Sequence, residues 1–380
     1  MLVITNVSFL DIELGFGYYA VIVAVFGFLV FWGKGTRLNI RTFIFVVAAV
    51  ISIVLNDIPT FFQSEQRLMA LVVVMGMVGP LFSSNLLAIY RIRLFRLLFS
   101  LLLLTVIASF VGAVLGLNIM TGRSGFTGVY NHSMVMGPMA ALSMIYSVYR
   151  WNTFRTYTQK WFFLMLTAIS FVTCLVAGSR VAIVAGAAGL MFYYYKLNKG
   201  NLSRYVITLM FIIAAGIVTF PLWESYTDNV MSKMAYAESK GTVLASRENL
   251  WQERIDEFIT SPLYGVGFAA VDTQIATKFD ADSGIIEPGS SWLAVLSMLG
   301  VLGFFPFILI VLKSFMFVLN SPINTSYCAM LGAVLTFFIV HMSAEGYVLS
   351  AGAGLSFVFW LVLGVIDSEK REQFIGVEKR

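Results

Sequence analysis

The stretch from Leu97 to Leu117 reads LLFSLLLLTVIASFVGAVLGL, without a single charge. A helix that crosses a bilayer needs about 20 such residues, whereas the surface helix of a soluble core carries a polar face. The same texture repeats on either side of it. Charge-free windows lie at 14–32, 42–56, 68–84, 97–117, 131–149, 161–178, 181–195, 205–223, 289–312, 326–343 and 351–366. The windows at 42–56 and 181–195 are short and must borrow flanking residues or tilt. The expected fold is all-α: a polytopic membrane helical bundle of about 11 transmembrane helices, forming one integral membrane domain over residues 1–380.

Composition supports this reading. The chain is 59% hydrophobic and only 12% charged, with a mean hydropathy of +0.86; soluble domains carry about twice that charged fraction. The net charge of +5 is modest, so the placement of charges matters more than their sum, and no nucleic-acid partner is expected. Cys174 and Cys328 sit in apolar runs without a CxxC or Cys/His cluster and read as packing residues. Asp11 and Glu13 precede the first apolar run with no basic segment, which argues against a cleavable signal peptide.

Lys and Arg set the orientation. With the N-terminus outside, most basic residues, among them Lys34, Arg37, Arg41, Arg91, Arg93, Arg96, Arg150, Lys196 and Lys313, fall in inner segments. Trp32, Trp161 and Tyr193-Tyr194-Tyr195 then mark the inner interface. This places the N-terminus in the periplasm and the C-terminus in the cytoplasm. The one extended hydrophilic segment, 224–287, becomes a long outer loop in which an amphipathic helix is expected near 246–260. Inner loops are too short for a nucleotide-binding domain, so chemistry on a water-soluble group belongs on the outer side.

The basic residues left outside are Arg67, Arg123, Arg180, Lys233, Lys240, Arg247, Arg254 and Lys278. Arg180 stands in Ala177-Gly178-Ser179-Arg180 between two apolar runs with almost no loop. A guanidinium held there can grip phosphate bidentately, snorkel to headgroups or pair with a loop acid. Arg247 and Arg254 are seven residues apart, hence on one helix face, beside an apolar stripe of Trp251, Ile255 and Phe258; such a helix should lie on the bilayer or against the bundle. Acidic residues outnumber basic ones in the loop, so these arginines either act locally on an anion or pair with Glu248, Glu253 or Asp256. His341 and Glu345, four residues apart at the outer end of the tenth window, suggest one helix face and either a proton relay or a structural hydrogen bond. No metal-ligand spacing is visible, so no metal or other cofactor is expected.

These residues form an ordered string. Gly178-Ser179-Arg180-Val181 is followed by Arg247, Leu250-Trp251, Arg254 and Pro262-Leu263-Tyr264-Gly265-Val266-Gly267, then by Ser291-Trp292-Leu293 and Leu299-Gly300-Val301-Leu302-Gly303. Arg123 with Gly125, Gly128 and Asn131-His132 precedes them, and Glu345 and Gly354 follow. Over roughly residues 110–365 the string resembles the O-antigen polymerase/ligase family. The resemblance implies a metal-independent, C-type glycosyltransferase of the bacterial inner membrane. It would act at the periplasmic face on undecaprenyl-diphosphate-linked oligosaccharide, among membrane lipids, with a flippase and a chain-length regulator as further partners. By the same analogy Arg180, Arg247, Arg254 and Arg123 would hold the diphosphate. Glu345, His341 and Glu287 are the candidates, by placement, for deprotonating the acceptor. The ligases of that family commonly carry a His-Asn pair before the span after the large loop, where this chain reads Pro288-Gly289-Ser290-Ser291-Trp292. The departure favours a polymerase of repeat units over a ligase that transfers glycan to lipid A core or protein. A lipid-linked sugar transporter is a third reading, to which the lack of internal repeats is unfavourable.

Overall fold

A computed structural model describes residues 16–33, 35–122, 125–199, 201–227, 231, 235, 245–282, 284–321 and 325–378. The described residues are mostly helical. In chain order the helices are α1 (Phe16–Phe31), α2 (Ile40–Val54), α3 (Ser64–Met77), α4 (Asn85–Val114), α5 (Ser133–Thr153), α6 (Tyr157–Ala177), α7 (Arg180–Leu197), α8 (Leu202–Trp223), α9 (Ala245–Thr260), α10 (Ser291–Asn320), α11 (Thr325–His341) and α12 (Gly354–Glu378). Two antiparallel two-residue ladders join loops, Arg37–Leu38 with Phe82–Ser83 and Thr121–Gly122 with Gly125–Phe126. Four of the described helices are long and apolar enough to cross a membrane: 85–114, 157–177, 202–221 and 291–320. Shorter apolar helices cover Ala20–Phe31, Ile40–Val54 and Ser326–His341. Each of the eleven apolar windows overlaps a helix.

The helix ends follow from local chemistry. The Asn39 side chain accepts from the Arg41 amide at the start of α2, and the Ser84 hydroxyl accepts from the Leu87 amide at the start of α4. His132 caps α5 through its ring nitrogen, which accepts from the Met134 amide. Two basic residues read as inner-loop charges have other work. Arg91 lies inside α4, fully buried, and donates to the carbonyls of Met77 (3.1 Å) and Phe82 (2.7 Å), so it caps the end of α3. Lys196 donates to Leu319 (2.7 Å) and Ser321 (2.9 Å) and closes the end of α10.

Aromatic side chains knit the middle of the bundle: Phe307 packs on Phe45, Trp292, Phe359 and Trp360. At the edge, α8 leaves Phe211, Ile217 and Val218 more than two-thirds exposed. Such a surface is stable only where the solvent is itself apolar.

Within α10 the helix breaks at Gly300, where φ is 60° and ψ −165°. The break frees backbone groups, and the segment after α9 uses them. Val266 and Gly267 donate to the Ser297 and Met298 carbonyls (2.9 and 3.2 Å), while the Val301 and Leu302 amides donate to Pro262 and Leu263 (2.9 and 3.1 Å). A Cβ at Gly300 would meet the Leu263 carbonyl, and one at Gly265 would meet the Met298 backbone. The two glycine-bearing motifs of the sequence are thus the two halves of one backbone joint. Asn56, just beyond α2, and Ser52 within it close the joint by donating to the Gly265 and Met298 carbonyls respectively.

Candidate active site

The joint fixes α9, and α9 aims Arg247. Leu250 packs on Gly289, and the Trp251 indole donates to the Gly289 carbonyl (3.2 Å), tying the second turn of α9 to the approach to α10. From the first turn, Arg247 reaches Glu345 at 2.5 Å and Glu287 at 3.6 Å; Lys278 stands 3.7 Å from the other oxygen of Glu287. The side chains of Arg247 and Glu345 are 13% and 18% exposed, against 50% for Glu287, so the cluster runs from a largely buried ion pair to an open rim. Burial pushes the Glu345 carboxyl above the ordinary carboxylate range, and Arg247 pulls it part of the way back.

Ser291 holds the backbone of Glu345. Its hydroxyl donates to the Glu345 carbonyl (2.7 Å) and accepts from the Tyr347 amide (3.0 Å), and its amide donates to Met342 (2.9 Å) and Glu345 (3.0 Å). The first residue of α10 therefore staples the 342–347 turn. No catalytic motif in the sequence marks this role; a serine just inside a helix start is the only trace.

The expected His341–Glu345 pair on one helix face does not form, because α11 ends at His341 and the chain turns before Glu345. His341 is fully buried, stacks on Phe337 and has Nδ1 3.2 Å from the Tyr347 hydroxyl. Its Nε2 has no hydrogen-bond partner among the described residues.

Of the two readings of the Arg247–Arg254 face, Arg254 follows the one that pairs it with a loop acid, Glu253, and α9 lies against the bundle. The face turns inward, with Leu250, Glu253, Arg254 and Glu257 buried, while Ile255 and Ile259 point outward at 39% and 65% exposure. Two helical turns separate the arginines by about 10 Å along the axis, so they enter different environments. Arg254 is 2% exposed and sits 2.9 Å from Glu257 and 3.7 Å from Glu253. The glutamates in turn grip the segment beyond the joint: Glu257 accepts from the Asp272 amide (3.0 Å) and Glu253 from the Thr277 hydroxyl (2.5 Å). Burial lifts the Glu257 carboxyl to about 7 against the pull of Arg254. Arg254 is thus enclosed by protein carboxylates and does not open onto the Arg247 cluster.

Arg180 is the first residue of α7, directly after the left-handed turn at Gly178. Helices α7 and α11 run antiparallel, with Tyr193 beside Ser326 and Gly189 against Ala333. That register carries Arg180, which is half-buried, to the end of the bundle where α11 finishes at His341. Arg180, Arg247, Glu287 and Glu345 therefore share one end of the molecule. Arg123 lies outside the described residues.

No curated protein matches the chain. Residues 163–308, from the second turn of α6 to the middle of α10, match the family model described as O-antigen ligase.

Proposed function

We propose that the chain is a polymerase of undecaprenyl-diphosphate-linked repeat units, acting without a metal at the periplasmic end of an eleven-span inner-membrane bundle. The reading rests on one observation above all: Arg247, held by α9 at the bundle end that also carries Arg180, is ion-paired to a carboxylate whose pKa burial has raised. In the reaction an acceptor hydroxyl oxygen attacks the anomeric carbon of the donor sugar. The bond from that carbon to the diphosphate breaks, and its electron pair leaves with the lipid diphosphate. Arg247 and Arg180 hold that leaving group; fixed cations aimed at developing charge are a principal source of rate enhancement. Glu345 takes the proton. As the diphosphate draws Arg247 away, the carboxylate loses its counter-charge and becomes a stronger base, so donor binding switches on the group that activates the acceptor. Glu287, at the open rim, is the alternative proton acceptor.

The basic end of the chain, with Arg41, Arg91 and Lys313, is read as cytoplasmic, which puts the N-terminus and the α9 end in the periplasm. A flippase and a chain-length regulator are the expected functional neighbours. The family description favours a second reading, ligation of finished glycan to lipid A core or protein; the histidine-free stretch Pro288–Trp292 favours polymerisation. Reconstitution with purified lipid-linked repeat units tests both. Longer lipid-linked chains support the polymerase, and transfer to an added core acceptor supports the ligase. Translocation without new glycosidic bonds refutes both.

A further inference from the structure

Next to the Arg247 cluster, and divided from it by the packing of Pro288 on Gly346, lies a cavity of about 340 Å³. Its walls are the start of α3, Ala269, the 285–288 return, the Ala294–Met298 stretch of α10 and the 346–352 loop. The lining is apolar or backbone almost throughout, and its one charged side chain among the described residues is Arg67. The Arg67 guanidinium lies beside Gly284, with Nη2 3.1 Å from where a Cβ on that glycine would sit. Burial lowers its pKa from a very high starting value, and an arginine so placed stays cationic at physiological pH.

This chemistry suits a particular kind of ligand. A sugar asks for several hydrogen-bonding side chains, whereas here the lining hydroxyls are those of Ser350 and Tyr347, and the latter is engaged by His341. One partly desolvated cation at the edge of an apolar chamber complements an amphiphile with an anionic head. The proposed reaction requires such a molecule twice. The donor loses its lipid diphosphate, but the acceptor repeat unit keeps its own, in the same leaflet, while its glycan arches to the donor. A ligase whose acceptor is not carried on a lipid diphosphate has no use for a second site.

We propose that this cavity is a second lipid-diphosphate site, which holds the carrier of the acceptor with Arg67 on the diphosphate and Ile285, Ile286 and Leu349 against the first isoprene units. The inference rests on the polymerase reading and specifies its second substrate. The test is binding of undecaprenyl diphosphate to the full chain in nanodiscs, counted by native mass spectrometry. Wild type should bind two equivalents. Arg67→Gln, or Ala70→Trp, which fills the cavity and keeps the arginine, should leave one. Arg247→Gln should leave the other. In competition at the Arg67 site, farnesyl diphosphate should outcompete inorganic diphosphate at least tenfold, because only the former has an apolar body. One equivalent in wild type, lost in Arg247→Gln and kept in Arg67→Gln and Ala70→Trp, would overturn the proposal, as would equal competition by inorganic diphosphate. Glycan transfer in the same nanodiscs separates the two claims. Transfer with a single lipid-diphosphate equivalent removes the second site and leaves the glycosyltransferase; failure of wild type to transfer removes the glycosyltransferase.

Discussion

Replacing Arg247 by Gln, Glu345 by Gln, and both together should separate what the ion pair does for the fold from what each group does for the reaction. The charges are in contact and mostly withdrawn from water, with N to O 2.5 Å apart. At an effective dielectric near 20 and charge centres about 4 Å apart, their attraction is roughly 4 kcal/mol, and desolvation of both ions offsets much of it. Removing one partner leaves the other buried and uncompensated, which costs about 3–5 kcal/mol when both are fully enclosed. The partial exposure here and the nearby Glu287 bring the expected loss for either single variant to about 2 kcal/mol. Arg247→Gln leaves Glu345, whose carboxyl burial already pushes upward, able to protonate, so its loss should shrink as pH falls; Glu345→Gln leaves a guanidinium that cannot discharge, although Glu287 remains within reach. The double variant has no stranded charge, and its stability should return to within about 1 kcal/mol of wild type.

Activity should behave in the opposite way. If Arg247 holds the leaving group and Glu345 takes the proton, the double variant is as inactive as the worse single one, with a rate loss of at least about a hundredfold. Thermal unfolding in detergent and elongation of purified lipid-linked repeat units measure the two quantities on the same preparation. Strictly additive destabilisation would mean that the pair is not coupled as the geometry requires. Recovery of activity together with stability in the double variant would mean that the two residues only support the fold, and the proposed chemistry would have to move elsewhere.

Arg180→Ala should abolish polymer while leaving the protein folded, and Arg180→Lys should also lose most activity because Lys lacks the planar fork; full-length polymer from Arg180→Ala refutes its role on the diphosphate. Arg254→Ala should abolish polymer by a different route, detaching α9 from the 268–277 segment and making residues 245–290 sensitive to protease, which Arg180→Ala should not do. Gly300→Ala, which forces a side chain into a left-handed position against the Leu263 carbonyl, should destabilise by about 2–4 kcal/mol from backbone strain and overpacking; an unchanged unfolding temperature would refute the joint. Glu257 has its carboxyl raised to about 7 in the folded protein from an ordinary 4.5, so between those values the folded state binds the extra proton and stability falls as pH rises, by about 3 kcal/mol across the window. Unfolding followed from pH 4 to 8 should show this slope in wild type and lose it in Glu257→Gln.

The helices were legible because a long charge-free run leaves a chain in lipid no other way to satisfy its backbone. Window edges were less so. Arg91, Arg93 and Arg96 break the apolar pattern, yet α4 runs straight through them, because Arg91 turns back to cap α3 and composition cannot show that a charge is spent on a neighbouring helix. Seven-residue spacing correctly put Arg247 and Arg254 on one face, but not which way the face turns. Where one solvent is lipid, the charged face can be the inward one, and Ile255 and Ile259 point out. The i, i+4 rule failed for His341 and Glu345 because it presumes a helix that continues, and nothing in Met342-Ser343-Ala344 announces the turn that Ser291 enforces from fifty residues away. The Arg67 cavity was invisible for a similar reason: its walls come from five separate stretches of chain.

The motif residues divide by what they touch. Arg180, Arg247 and Glu345 have side chains at the shared end of the bundle, where a substrate can be met. Gly265, Gly300 and Arg254 cannot meet one: the glycines are pressed against backbone, and the arginine is enclosed by two glutamates. Their common effect is on α9. The joint at Gly300 fixes where the helix ends, the Arg254 cluster fixes its rotation against 268–277, and the Trp251 bond to Gly289 fixes its approach to α10. Arg247 is the only one of these residues on α9 whose charge reaches outward to the cluster, and it stands near the end of the helix that these contacts leave last constrained. In the proposed reaction the guanidinium exchanges a carboxylate for a diphosphate, which requires it to turn while its Cα stays fixed. A short helix clamped beyond its first turn, with the arginine in that turn, supplies both conditions, so on this reading a fully buried arginine and two glycines accompany the arginine that reaches the rim.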